Sequence, residues 1–336
     1  MAPRRQFLND SATLVAQALA GLERAHPTLV RWNREPSFVE RADPDAESPG
    51  RVGVISGGGS GHEPLHTGFV GRGMLDAAVP GGIFASPSMM QIRAATDAAH
   101  HGAGVVHVVK NYTGDVINFG LARDLAIEDG IEVETVLVAD DLATDDDSDG
   151  PGRRGTAAVI AVEKVCGAAA QRGEDLQRVA ELGRAVAESS RSMAIALEAP
   201  THPGASGPSF ELAHDEIEFG VGIHGERGVE RRPFAPAREL AELLCTPIVE
   251  ALALGRGERV IAIVNGLGST HLLELSVMFA DVAELLDDRG IEVARSLVGS
   301  YVTSLDMAGC SITLVRADGE LLELWDEPVV TPGLRW

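Results

Sequence analysis

Three short segments hold the residues best able to do chemistry: Ser56-Gly57-Gly58-Gly59-Ser60-Gly61-His62-Glu63-Pro64, Lys110-Asn111-Tyr112-Thr113-Gly114-Asp115 and Gly220-Val221-Gly222-Ile223-His224-Gly225-Glu226. Between them they supply a glycine-rich loop, a cation, a carboxylate and two histidines. Carboxylates and imidazoles accept hydroxyl protons, and a fixed cation stabilises negative charge as it develops. Backbone amides of a glycine loop can approach a polar ligand closely. The set suits binding a small polar molecule and activating one of its oxygens.

Each segment has a rival reading. The glycine loop is no dinucleotide fingerprint, because counting from Gly57 the third required glycine falls on His62; nor does a Gly-Lys-Ser/Thr follow, as a Walker loop needs. A single tight turn calls for fewer glycines, so ligand contact is the better reading. His62-Glu63-Pro64-Leu65-His66 spells H-E-x-x-H, but zinc hydrolysis needs both histidines on one helix face. Pro64 places the start of a helix near itself and leaves His62 in the loop, so no metal is expected. Asp115 either caps a helix beginning at Val116 or accepts a substrate proton, and both readings stay open. His224, between Ile223 and Gly225, reads locally as a core histidine. Only two of the 28 basic residues are lysines, Lys110 and Lys164; Lys110 reads as functional only because of its motif.

The elements that position these segments alternate between strand and helix, the mark of an α/β chain. Strands are expected at 51–55, 104–109 and 131–138, with helices at 88–101 and 116–128 between them. Residues 140–155 read as an acidic loop, followed by helices at 156–171 and 175–190. A second block runs through strands at 193–197 and 216–224, a helix at 237–253, a strand at 259–264, a helix at 271–288 and a strand at 292–297. It closes on an antiparallel pair at 311–316 and 321–325. The expected fold is two α/β domains, 1–190 and 191–336, each a mostly parallel or mixed sheet flanked by helices.

The 336 residues are ample for two cores, built from aliphatic residues because aromatics make up only 4%. A net charge of −22 argues against nucleic acid and anionic membrane surfaces as partners. No apolar run approaches the roughly 18 residues of a bilayer span. Cys166, Cys245 and Cys310 are too far apart for a metal motif or a disulfide framework, which fits a reducing cytoplasm. Arg4-Arg5-Gln6-Phe7-Leu8 superficially resembles a twin-arginine export signal, yet Asn9-Asp10 follow at once. The helical spacing of Leu14, Val15, Ala18, Leu19 and Leu22 predicts a mature N-terminal helix capped at Asp10 or Ser11.

The three segments occur together, in this order, in the K subunit of dihydroxyacetone kinase, and the chain resembles that family over nearly its whole length. Further matches are Ala25-His26-Pro27, Ile83-Phe84-Ala85-Ser86-Pro87, Gly152-Arg153-Arg154-Gly155, Val264-Asn265-Gly266-Leu267-Gly268, residues 299–309, Leu324-Trp325-Asp326 and Thr331-Pro332. The resemblance implies a subunit that binds dihydroxyacetone covalently as a hemiaminal on the position of His224. It implies His62 as proton acceptor, with Asp115 orienting the hydroxyl. Substrate contacts are implied at Gly59, Ser60, Gly61, His62, Lys110, Asp115 and Ser86. It implies no cofactor on this chain: Mg-ADP or Mg-ATP sits on a separate L subunit, fed by ATP or by a phosphotransferase-system phosphocarrier. A cytoplasmic homodimer is expected. Another short ketose such as erythrulose, or a non-catalytic ketose sensor, remains an alternative. Glu198-Ala199-Pro200 and Arg227 depart from the family pattern, beside the pocket wall and the loop after His224.

Overall fold

The computed structural model describes residues 6–43, 48–145 and 152–336. Arg4-Arg5 and the acidic run 146–149 lie outside the described residues. Contacts divide the chain into two units. One gathers Leu8–Val138, Val159–Ala187 and Glu323–Trp336, the other Ala139–Ala158 and Glu188–Leu322.

The division departs from the expected cut of 1–190 and 191–336 most at 139–158 and 323–336, for visible reasons. Asp140 accepts from the Thr156 amide at 2.6 Å, the Thr156 hydroxyl at 2.7 Å and the Ala158 amide at 3.1 Å, while its carbonyl takes the Ser192 amide at 2.8 Å. The first three hold 139–158 together, and the Ser192 bond ties it to the later segment. In the other unit Lys164 Nζ donates to the Leu324 carbonyl at 2.7 Å, which anchors the C-terminal residues there.

The first unit contains α1 (Leu14–Ala25), β1 (Val30–Arg34), β2 (Ser37–Arg41), β3 (Gly53–Ser60), β4 (Ala77–Ile83), α2 (Met89–Ala99), β5 (Val105–Lys110), α3 (Thr113–Glu128), β6 (Val133–Val138), α4 (Ala158–Arg172) and α5 (Leu176–Glu188). α1 starts later than expected, after a turn in which Asp10 accepts from the Ala12 amide at 2.9 Å. The sheet order is β1-β2-β4-β3-β5-β6. β4, β3, β5 and β6 are parallel; at one edge β2 pairs antiparallel with β4, and β1 antiparallel with β2.

All six residues of β5 are buried, as in a parallel strand covered on both faces, and its unbroken apolar run makes it legible. β4 reads Ala-Ala-Val-Pro-Gly-Gly-Ile; its proline and glycines hide it from strand rules. α2 opens on a capping box: the Gln91 amide donates to the Ser88 hydroxyl, and the Ser88 amide to Gln91 Oε1. Phe38, Ile55, Val79, Ile92, Val105 and Phe119 form the core on this face. Residues 158–170 of α4 are buried, as an almost wholly apolar helix requires.

The chain leaves β3 toward β4 on one side and returns through α2 to β5 on the other. β3 therefore lies at the point where strand order reverses, where open α/β sheets bind ligands beyond the carboxyl ends of their strands. The ends that meet there are Ser60, Ile83 and Lys110.

The second unit contains β7 (Ser190–Glu198), β8 (Glu216–Phe219), β9 (Glu230–Pro233), α6 (Ala237–Ala251), β10 (Arg259–Gly266), α7 (Leu272–Asp288), β11 (Glu292–Gly299) and β12 (Ala308–Arg316). Its sheet is mixed, in the order β11-β10-β12-β7-β8-β9, and only β10 and β11 run parallel. Ile217, Leu244, Ile248, Val260, Val264, Leu275, Val282 and Ile312 make its core with α6 and α7.

The expected strand at 321–325 is instead part of a helix, α8 (Gly319–Asp326). β12 already pairs with β10 and β7, so it has no free edge for another strand, and Asp318 accepts from the Leu321 amide at 2.8 Å to start the helix. The expected strand 216–224 stops at Phe219, because Gly220 turns with φ 77° and the chain returns as β9. Among the described residues no helix is long and apolar enough to cross a membrane.

Candidate functional site

β3 does not stop before the glycines. It runs through them to Ser60, with Gly57 opposite Val79 and Gly58 opposite Pro80 of β4. The glycines serve close approach. A Cβ on Gly57 would sit 2.6 Å from the Val79 carbonyl oxygen. One on Gly58 would sit 2.4 Å from Lys110 Nζ, and one on Gly59 2.8 Å from the Ala85 nitrogen. Gly58 within the strand has φ 159°, and just past it Gly61 adopts a left-handed φ of 103°. Its amide donates to Glu63, and the Ser60 hydroxyl donates to the Gly81 carbonyl at 2.8 Å.

No helix begins at Pro64. Residues 61–66 turn and only a single 3-10 turn, Thr67–Phe69, follows, closed by Phe69 N to His66 O at 2.9 Å. His62 and His66 therefore share no helix face, as zinc ligation would require. His62 is fully buried with its ring stacked on Phe84, centroids 5.1 Å apart. Ser86 is half-buried and lies against the first turn of α3, where a Cβ on Gly114 would meet its hydroxyl at 2.6 Å.

Lys110 ends β5 with none of its surface exposed. Its ammonium donates to the Gly57 carbonyl at 3.1 Å and to His66 Nε2 at 2.8 Å. Asp115 Oδ2 stands 3.6 Å away, an ion pair longer than a hydrogen bond. α3 starts at Thr113, with Tyr112 at the N-cap, so Asp115 lies inside the first turn and does not cap the helix. Its charge is favoured there by the helix dipole. Its Oδ1 is buried with no hydrogen-bond partner among the described residues.

Behind Lys110, His66 Nδ1 lies 2.5 Å from Glu163 Oε1 on α4. Both side chains are at least 97% buried. Burial, then the Lys110 and His62 charges, holds the His66 imidazolium far below its ordinary range. Burial lifts the Glu163 carboxyl to about 8, opposed by the Ser56 hydroxyl and Lys110.

His224 belongs to the second unit, in the loop after β8. Val221 and Ile223 are buried and His224 is half-buried. Its amide donates to Glu226 Oε2 at 2.7 Å. Arg154 holds the same carboxylate at 3.0 Å, the Gly220 carbonyl at 3.0 Å and Asp141 at 2.8 Å. Burial, resisted by Arg154, lifts Asp141 to about 6. A Cβ on Gly222 would fall 1.7 Å from Glu226 Oε1, so glycine leaves room for this clamp.

Of the contacts the resemblance implies, Gly59 and Ser60 end β3, Gly61 and His62 follow it, Ser86 follows β4, Lys110 ends β5 and Asp115 lies in the first turn of α3. Sequence reasoning missed Glu163, His66 as a partner of Lys110, and the Asp141–Arg154–Glu226 clamp. The available signal for Glu163 was a Glu-Lys pair inside an otherwise apolar helical run.

Residues 20–333 match the Dak1 domain model. The chain belongs to the Dak1 family. It is 43% identical to the PEP-dependent dihydroxyacetone kinase, dihydroxyacetone-binding subunit DhaK, of Escherichia coli (strain K12), covering 99% of both chains. Among solved structures, the dihydroxyacetone kinase operon co-activator Dha-DhaQ aligns with a TM-score of 0.88 at 33% identity, over 93% of this chain and 96% of that one. The native dihydroxyacetone kinase of C. freundii aligns with a TM-score of 0.87 at 34% identity, over all of this Dak1 chain but only 60% of that one. The C. freundii chain is thus longer than the stretch that aligns with this one.

Proposed function

We propose that this chain is the dihydroxyacetone-binding subunit of a dihydroxyacetone kinase. The observation that carries the reading is the buried Lys110–Asp115 couple at the strand-order reversal. It offers one N–H donor and one unsatisfied carboxylate oxygen, the complement of a hydroxyl that accepts one hydrogen bond and donates another. The full-length likeness to a named dihydroxyacetone-binding subunit supplies the ligand class.

In this reading the lone-pair nitrogen of neutral His224 adds to the ketone carbon, the ring gives up the proton on its other nitrogen and the former carbonyl oxygen takes up one, giving a neutral hemiaminal. Covalent addition selects ketones and aldehydes over glycerol, which has no carbonyl. Lys110 and Asp115 take a ligand hydroxyl, His62 or Asp115 accepts its proton, and Gly59, Ser60, Gly61 and Ser86 contact the ligand. A separate L subunit brings the magnesium nucleotide and the phosphoryl group, since phosphoryl transfer is mostly positioning and charge stabilisation. The phosphotransferase-system link and a homodimer belong to the same proposal.

A second reading, a dihydroxyacetone sensor, is favoured by the likeness to the operon co-activator. One experiment separates them. The purified chain is mixed with an L subunit and its phosphoryl donor, and ester formation is followed alongside calorimetric binding of dihydroxyacetone. The kinase reading expects product from the wild type, and from Asp115→Asn retained binding with turnover lost. Binding without product in the wild type would favour the sensor; absence of binding would sink both.

A further inference from the structure

His66 and Glu163 have no part in the reaction just described, yet they are buried directly behind Lys110. A lysine ammonium has three protons to place. The Gly57 carbonyl takes one at 3.1 Å and His66 Nε2 faces a second at 2.8 Å. Asp115 Oδ2, at 3.6 Å, leaves the third without a full hydrogen bond.

A nitrogen that accepts from an ammonium must present a lone pair. A proton on Nε2 would set two donors face to face at 2.8 Å. The imidazole proton therefore sits on Nδ1, and its acceptor is Glu163 Oε1 at 2.5 Å. The charged and titratable groups around the imidazole are Lys110 from β5, Glu163 from α4 and the neighbouring His62, with Asp115 of α3 beyond Lys110. Burial keeps the ring neutral, so its lone pair stays available.

We infer that His66 and Glu163 are positioning residues for ligand recognition: Glu163 fixes the imidazole tautomer, His66 and the Gly57 carbonyl take two ammonium protons of Lys110, and the third is thereby aimed at a ligand hydroxyl beside Asp115. The consequence is directional. An ammonium on a flexible stem would spread its donors over many directions; here one direction remains. The inference rests on the reading that Lys110 and Asp115 take a hydroxyl. It adds two residues that touch no ligand and act through Lys110 alone.

Two measurements test it. Nitrogen-15 spectra of histidine-labelled, ligand-free protein should show His66, assigned by its loss in His66→Leu, protonated at Nδ1 and bare at Nε2. The opposite tautomer would overturn the inference whatever the ligand is. Calorimetry with dihydroxyacetone should show His66→Leu and Glu163→Leu each raising Kd roughly ten- to hundred-fold, the span of a lost positioned hydrogen bond. Glu163→Gln keeps the oxygen acceptor, so its Kd should stay within about threefold of wild type, a rescue that mere core filling by Glu163 would not produce. Folded His66→Leu protein, checked by its melting temperature, with wild-type affinity would also overturn the inference. If the wild type binds no dihydroxyacetone, the functional reading fails and the tautomer alone decides this one.

Discussion

Gly222→Ala tests whether the His224 loop must be held to bind. Gly222 lies outside the left-handed region, so alanine brings no backbone strain and the effect is one of space. The new Cβ would stand 1.7 Å from Glu226 Oε1, 2.4 Å from its Cδ and 2.6 Å from Arg154 Nη1. The Glu226 side chain is 33% exposed, so it escapes outward and abandons two bonds, to the His224 amide and to Arg154. A hydrogen bond to a charged group contributes about 1.5–3 kcal/mol, and a partly solvated ion pair ~0–1 kcal/mol. The sum, about 1.5–4 kcal/mol, corresponds to a loss of affinity of roughly tenfold or more. Calorimetry with dihydroxyacetone reads it, with Glu226→Gln as the control that keeps an acceptor for the His224 amide and should lose far less. Folded Gly222→Ala with wild-type affinity would refute the idea that this clamp sets the loop.

Glu163 makes stability depend on pH. Its folded pKa of about 8 lies above the ordinary 4.5, so the native state binds the proton more tightly than the unfolded chain does, and stability falls as pH rises between those values. The full cost of ionisation is on the order of 5 kcal/mol, so Glu163→Gln should match wild type in urea unfolding at pH 4.5 and exceed it at pH 9; equal curves at both would refute this. His66 acts in the other direction: its lowered folded pKa means stability present above about 6.5 is lost as pH falls, a loss that His66→Leu should abolish in acid unfolding curves. Gly120→Ala, in α3 with open space around the new Cβ, should stabilise by roughly 0.5–1 kcal/mol. Gly183→Leu drives a side chain into Cys166 Sγ, 2.6 Å from the new Cβ, and into Val136, and should cost ~1–3 kcal/mol in the same assay.

The sequence made legible whatever rests on local pattern. β5 and β6 follow from apolar runs, α2 from its Ser88 start, and α3, α6 and α7 from helical spacing. The ligand-facing segments were visible because glycine density and a lone lysine are local too. What escaped depends on distant partners. β4 is held as a strand by β3 and β2 in spite of Pro80 and its glycines. α8 is a helix because β12 already has two neighbours. Asp115 reads equally as a cap and a base from sequence, but α3 starts three residues before the expected Val116, at Thr113. Glu163 meets His66 from 97 positions away in the chain, a separation that no motif spans.

Both lysines of the chain, Lys110 and Lys164, are buried, so the cationic side chains that water reaches are guanidinium and imidazole groups. A reagent that acylates amines finds no lysine target on the native fold, so its lysine adducts, told apart from that of the α-amine, form only in molecules that have opened. Acylation counted by mass spectrometry thus becomes a clock for unfolding, with no engineered probe. An acyltransferase that modifies lysine side chains meets the same barrier, so for this protein such modification would mark chains that have lost their structure.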